Sequence, residues 1–368
     1  MRRLAALAIP LLTACADAGT GPDHYAVIAE SLTVSAGALP SYASTLPAFY
    51  TPAVLQREDR NPRGTPFTNA GVTLGRALFW DPRLSINGTV SCASCHAPAR
   101  AFGDSAQFSL GFGGVERTSA HSMRLVNARF NESERYFWDK RANSLEAQTT
   151  QPIQDPVEMG FDAAHGGFAA LVARLDSTRL YPALFRLAFG DVEISELRVQ
   201  QALAQYVRAL VSVGSKFDLA YAQVFSPALP GNGIAGDFPL LSPQENLGKQ
   251  LFLTPPPGGM GCAGCHVPPT FSLAATSLSN GLDAGETRIF RSPSLKNVAR
   301  SSRFMHDGRF SSLEQVLEFY DHGVQAGPRL DARLIAPGGL PRVHNRSADE
   351  LAAVVAFLRT LTDDAMLA

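Results

Sequence analysis

Charge excess is missing from this sequence of 368 residues: 32 basic side chains face 33 acidic ones, for a formal net charge of −1. With no Lys/Arg run either, neither nucleic acid nor a polybasic membrane contact is expected as a partner. The N-terminal apolar run, residues 4–12, is too short to cross a bilayer. Cysteine is scarce, at five residues, and tryptophan scarcer, at two. What remains is 45% hydrophobic, enough for one large core or two of ordinary size in a soluble globular body.

Four of the five cysteines stand in two pentapeptides of one kind, Cys92-Ala93-Ser94-Cys95-His96 and Cys262-Ala263-Gly264-Cys265-His266. A lone C-x-x-C is also compatible with a disulfide or half of a zinc site. Both copies here end in His, the pairs lie far apart, and no third pair completes a four-cysteine zinc site. In an exported protein, the C-x-x-C-H pattern reads as a covalent c-type haem site, with two thioether bonds and a histidine on the iron. Two haem c groups are therefore expected, on Cys92, Cys95 and His96 and on Cys262, Cys265 and His266, the histidines ligating iron.

The fifth cysteine fits a leader. Residues 1–15 combine Arg2-Arg3, a short apolar run and Leu12-Thr13-Ala14-Cys15, the layout of an export signal whose end resembles a bacterial lipobox. Cys15 would carry a lipid anchor and place the protein in the periplasm or cell envelope; a plain signal peptide that happens to contain Cys15 is the alternative. Residues 16–63, rich in Ala, Ser, Pro and Thr, read as a tether and a wrapping segment, with His24 a solvated side chain.

An internal repeat organises the rest. Leu74-Gly75-Arg76-Ala77-Leu78-Phe79 precedes the first motif and Leu247-Gly248-Lys249-Gln250-Leu251-Phe252 the second. Downstream, Phe137-Trp138-Asp139-Lys140-Arg141 with Ser144-Leu145-Glu146 registers without a gap on Met305-His306-Asp307-Gly308-Arg309 with Ser312-Leu313-Glu314. The expected fold is mostly α: two tandem class I cytochrome c-like haem domains related by internal duplication. They span 64–226 and 227–345, with a C-terminal helix over 346–368 and a Pro/Gly-rich linker at 227–239. Helical spacing over residues 195–213 and capping patterns at Ser242 with Glu245, Ser311 with Glu314 and Ser347 with Glu350 support helices there.

The two halves differ where an iron's second face would lie. Fourteen residues on from His306 comes Tyr320, expected within the helix capped at Ser311, whose phenolate can ligate iron; fourteen on from Trp138 comes Pro152, which cannot. The first haem should thus keep an open position. Near Pro152 stand Gln148, able to hold a peroxide or water, and Glu158, a carboxylate able to take a proton from one peroxide oxygen and return it to the other. Trp138, opposite His306 in the repeat, should lie near the seam of the halves, as a core aromatic, an electron relay, or both. His165, His322 and His344 read as surface or hydrogen-bonded residues.

Together these motifs resemble the bacterial di-haem cytochrome c peroxidase and MauG superfamily over roughly residues 65–365. The resemblance implies a peroxidatic haem in the N-terminal domain and a six-coordinate electron-transfer haem in the C-terminal one. It places Gln148, Pro152 and Glu158 in the peroxidatic pocket and Trp138 between the haems. At the position of Tyr320 it implies methionine in the peroxidases and tyrosine in the MauG branch, so this sequence sides with MauG. Peroxidases of the other branch tend to carry a removable histidine after the first motif, and residues 97–114 hold none. The family often holds calcium between the haems, but here His121-Ser122-Met123 and Ser301-Ser302-Arg303 occupy the ligand stretches. Imidazole and guanidinium suit a hard oxygen-seeking cation badly, which speaks against calcium.

Three functions are consistent with these features. An enzyme of MauG type would use hydrogen peroxide to oxidise a partner protein; a peroxidase would draw electrons from a small cytochrome or cupredoxin. A non-catalytic electron-transfer protein, the third, is disfavoured by Gln148 and Glu158.

Overall fold

The computed structural model of the protein describes residues 24–34, 39–61 and 67–367. The leader and Cys15 lie outside the described residues. Helices dominate, and the only strands among the described residues are the antiparallel pair His266–Val267 and Ser272–Leu273. No described helix is long and apolar enough to cross a membrane.

Two helix pairs carry the two largest apolar clusters. Helix Asn69–Trp80 begins where the Thr68 hydroxyl accepts from Gly71 N, and it buries Val72, Leu74, Leu78 and Phe79. It crosses helix Glu196–Ala209, which turns Val199, Ala202, Leu203 and Tyr206 to the same core. Each fully buried Val, Leu or Phe among them contributes roughly 1.5–3 kcal/mol. The second pair is Pro243–Leu253, capped by the Ser242/Glu245 box, with Ala348–Arg359, capped by Ser347/Glu350. Their core contains Leu251, Phe252, Val354, Phe357 and Leu358. Both crossings are so tight that the repeat's glycine is obligatory. A Cβ on Gly75 would lie 2.0 Å from the Ala202 carbonyl oxygen, and one on Gly248 would lie 1.9 Å from that of Ala353.

The N- and C-terminal segments run between these clusters. Val27 and Ile28 belong to the first core, while Phe49 and Tyr50 belong to the second; Met366 and Leu367 return to the first. The matched downstream runs also have matched shapes. Each is closed by a backbone bridge, Tyr136 with Ala142 and Phe304 with Phe310, and each holds an Asp–Arg pair, Asp139 with Arg141 and Asp307 with Arg309. Phe137 and Met305, at equivalent places, both take left-handed backbone (φ 66° and 70°).

Three details differ from expectation. The helix expected over 195–213 starts at its Ser195 cap but ends at Ala209, because the Asn127 side chain takes both the N–H and the carbonyl of Ser212. The cap expected at Ser311 is Ser312, whose hydroxyl accepts from Gln315 N; Ser311 instead donates from its N–H to the Gln315 side chain. Helix Leu313–Glu318 then widens into a π-helical turn, Phe319–Gly323, so Tyr320 sits on that turn and not within the α-helix. Such turns recur at functional sites.

Candidate functional site

Ser91 and Ser94 close a capping box around the one-turn helix Cys92–Cys95, and His96 ends it. Its imidazole is fixed from behind: the tight loop through Ala101 and Phe102, both left-handed (φ 54° and 59°), brings the Phe102 carbonyl 2.8 Å from His96 Nδ1. With Nδ1 donating there, Nε2 is the nitrogen left for a metal. Burial pushes the His96 pKa down, which keeps the ring in the neutral form a metal requires. Burial likewise pushes the Cys92 thiol up to about 12 and the Cys95 thiol to about 11. Neither motif's cysteines are joined as a disulfide.

Beside this motif lies a cleft lined by Arg141, Gln151, Pro152, Gln154, Asp155 and Glu158, among others. The structure thus brings Pro152 and Glu158 together. Gln148, in helix Leu145–Thr149, is four residues before Pro152 in the same helical run but does not line the cleft. Asp155 shapes the floor by accepting from the N–H groups of Val157 and Glu158, and the Phe112 N–H donates to the carbonyls of Val157 and Glu158. Glu158 is pushed up to about 7, first by burial and then by the charge of Asp155, with Arg141 opposing. Arg141 stacks on Phe137, its guanidinium carbon 3.5 Å from the ring centroid. Sequence reasoning missed the parts played by Arg141 and Asp155, because charged residues between turns read as solvated.

The second motif forms a short turn, Cys262–Gly264, with His266 opening the small strand pair. It stands at a cavity of about 530 Å³, inside the roughly 300–1,000 Å³ of cofactor sites. Cys262, Cys265, His266 and Tyr320 all line it, among apolar side chains such as Leu253, Val298, Leu317 and Val354. Burial, then the charges of Arg124 and Arg333, push His266 down to about 4, and its buried Nδ1 has no hydrogen-bond partner among the described residues. A neutral imidazole with an unpartnered ring nitrogen, two thiols and a mostly apolar wall fit a covalently held haem. Tyr320 is pushed up to about 12 by burial, while Asn280 Nδ2, 3.3 Å from the phenol oxygen, favours its anion. Asn280, and His344, which also lines this cavity, were not singled out as site residues from the sequence.

Between the motifs, Trp138 Nε1 donates to the His121 carbonyl (2.7 Å), and His121 N–H donates to the His306 carbonyl (2.8 Å). The Trp138 and His306 rings stand 6.5 Å apart, with His306 stacked on Phe290 at 3.7 Å. Trp138 therefore lies on the seam and lines the second motif's cavity. Buried His121 directs Nδ1 at the carbonyls of Ala106 and Gln107. No group of three or more His, Cys, Asp or Glu among the described residues is placed to hold a metal ion.

Comparison with known proteins gives a consistent picture. The family profile described as di-haem cytochrome c peroxidase matches residues 69–224 and 242–331. The methylamine utilization protein MauG of Methylorubrum extorquens is 34% identical over 316 residues, covering 82% of this chain and 80% of its own. The cytochrome c551 peroxidase of Nitrosomonas europaea is 29% identical over 317 residues, covering 82% of each. Among solved structures, a MauG-like protein associated with microbial copper homeostasis superposes with a TM-score of 0.67 at 29% identity, covering 90% of this chain and 96% of its own.

Proposed function

Because the protein belongs to the di-haem cytochrome c peroxidase family, and so is a haem oxidoreductase with two covalently bound haem c groups, we propose that it is exported, uses hydrogen peroxide at its first motif and oxidises a partner protein. The haem there supplies an iron able to take peroxide and hold its oxidising equivalents. The protein does the rest. The Pro152 side chain carries no donor atom, so a haem held by Cys92, Cys95 and His96 would gain no side-chain ligand from this position. Glu158, with a pKa of about 7, is ionised in a large share of molecules at neutral pH. Its carboxylate takes the proton from the inner peroxide oxygen and returns it to the leaving one. Trp138 carries electrons across the seam.

The observation that carries the reading is the asymmetry of the two sites. Tyr320 shares a cavity with His266, whereas Pro152 shares a cleft with a carboxyl tuned to neutral pH. A phenolate on the second iron favours its more oxidised states, as storage of oxidising equivalents for a protein substrate requires; a thioether does the reverse. The matched pair of glycine-locked helix crossings and the matched Asp–Arg loops support reading the fold as two duplicated cytochrome c-like domains, with limits near 64–226 and 227–345. The leader supports a periplasmic or envelope location with a lipid anchor at Cys15.

The similarity to cytochrome c551 peroxidase favours a second reading, in which a small electron donor feeds the second haem and peroxide is merely reduced. Mixing the fully ferric protein with one equivalent of peroxide separates the two. The first reading expects an oxidised state, two electrons above ferric, that persists for minutes and decays faster with the partner protein. Rapid decay regardless of partner, with turnover only after prior reduction of one haem, would establish the second.

A further inference from the structure

The cavity at the second motif is lined by five guanidinium groups, those of Arg124, Arg291, Arg303, Arg333 and Arg342, against one carboxylate, Asp331. Arg333 pairs with that carboxylate. Of the others, Arg124 donates to Ser301 Oγ and the Ser294 carbonyl, Arg291 reaches Met123 Sδ, and Arg342 donates to the carbonyls of Arg333 and Ile335. None of these four meets an acidic side chain among the described residues. Arg124 Nε is buried with no hydrogen-bond partner among the described residues, and Arg291 is only 6% exposed. Burying cations without counter-charge is costly, so a site that keeps several of them is built for an anionic ligand.

Most of the remaining lining is apolar, with Phe252, Leu253, Val298, Leu317 and Val354 among it, so the ligand must also present a broad apolar body. A haem has that form: a flat apolar ring with two carboxylates on one edge. Position then selects the arginines. The Arg291 N–H donates to the Trp138 carbonyl, and Arg124 follows closely on His121, whose carbonyl accepts from the Trp138 indole. The guanidiniums themselves bridge the halves, Arg124 to Ser301 and Ser294 and Arg291 to Met123, so both belong to the seam side of the cavity.

We propose that Arg124 and Arg291 hold the two carboxylates of the haem carried on Cys262, Cys265 and His266, turning its carboxylate edge toward Trp138 and the first site. The inference rests on the second motif being a haem site and adds which residues orient that haem. Arg124 and Arg291 are positioning residues. The planar fork of each matches a carboxylate bidentately, and two positive charges near the iron oppose its loss of an electron. Arg124 belongs to the first half of the protein, so the first half sets the potential of the second site.

The test uses the full-length holoprotein with Arg124→Gln, Arg291→Gln and Arg124→Lys. Haem content comes first: fewer than two haems per molecule in the wild type would overturn the haem reading itself. With two haems present, the readouts are the carboxylate-bending band of the second haem by resonance Raman and the midpoint potential of each haem. Each Gln variant should shift the band and lower the potential of the second haem, leaving the first unchanged. Arg124→Lys, which keeps the charge and loses the fork, should shift the band while staying near the wild-type potential; it carries the test should the Gln variants fail to fold. Band and potential unchanged in variants that retain both haems would overturn the assignment.

Discussion

At Glu158, burial and the charge of Asp155 act in the same direction, and Arg141 only partly offsets them, so the carboxyl titrates near pH 7 instead of 4.5. Two pH dependences of opposite sign follow. Peroxide turnover needs the ionised form and should rise with pH through an inflection near 7. The folded state holds the proton more tightly than the unfolded one, so this group's contribution to stability is present at low pH and is lost as pH rises from about 4.5 through about 7. Glu158→Gln should lower peroxide turnover by about 10²–10⁴-fold and remove the inflection, and Arg141→Leu should move the inflection upward. A Gln variant with wild-type rate and profile would take Glu158 out of the chemistry. The grouping of Pro152 with Glu158, and of Tyr320 with the second Cys–His motif, was legible in the sequence, because motif spacing and the register of the repeat carry it. Arg124, Asn280 and Arg141 were not. Their roles depend on which surfaces meet, and nothing in the local sequence separates a guanidinium facing a cavity from one facing water.

Among elements, the repeat's glycines show why the helices pair as they do. Gly248 lets helix Pro243–Leu253 approach the backbone of Ala348–Arg359 to a distance at which any Cβ collides with a carbonyl oxygen. Backbone cannot rotate away as flexible side chains do. Gly248→Ala should therefore destabilise by at least about 1–3 kcal/mol, measured by denaturant unfolding of the holoprotein, and should perturb the second haem's spectrum before the first's. Gly75→Ala should do the reverse, because its clash is with Ala202 in the first pair. Equal stability of the Ala variants would mean that the helices can separate at no cost. Two helix starts were legible here, since Ser242 and Ser347 cap through local sequence, while the one expected at Ser311 lies at Ser312. Ends and irregular turns were not. Asn127, 85 residues away, stops one helix by taking up Ser212, and no periodicity announces the π-helical turn that presents Tyr320.

Across the whole molecule, the two halves differ, one presenting a cleft with Pro152 and Glu158 and the other a cavity shared by His266 and Tyr320, and a seam of Trp138, His121 and His306 joins them. The matched runs themselves were legible, and they fold alike, each closed by a backbone bridge and holding an Asp–Arg pair. The sidedness of the second cavity, with arginines from both halves and one carboxylate, emerges only when the halves are docked. The central claim is that the first iron is open while the second is closed by Tyr320, and cyanide, which binds ferric haem only at a free position, tests it most directly. Titrating the fully ferric protein should show saturation at one cyanide per molecule, and Tyr320→Phe should raise this to two. Two equivalents in the wild type, or one in the Phe variant, would contradict the account, the latter passing the ligand role to another cavity residue such as His344.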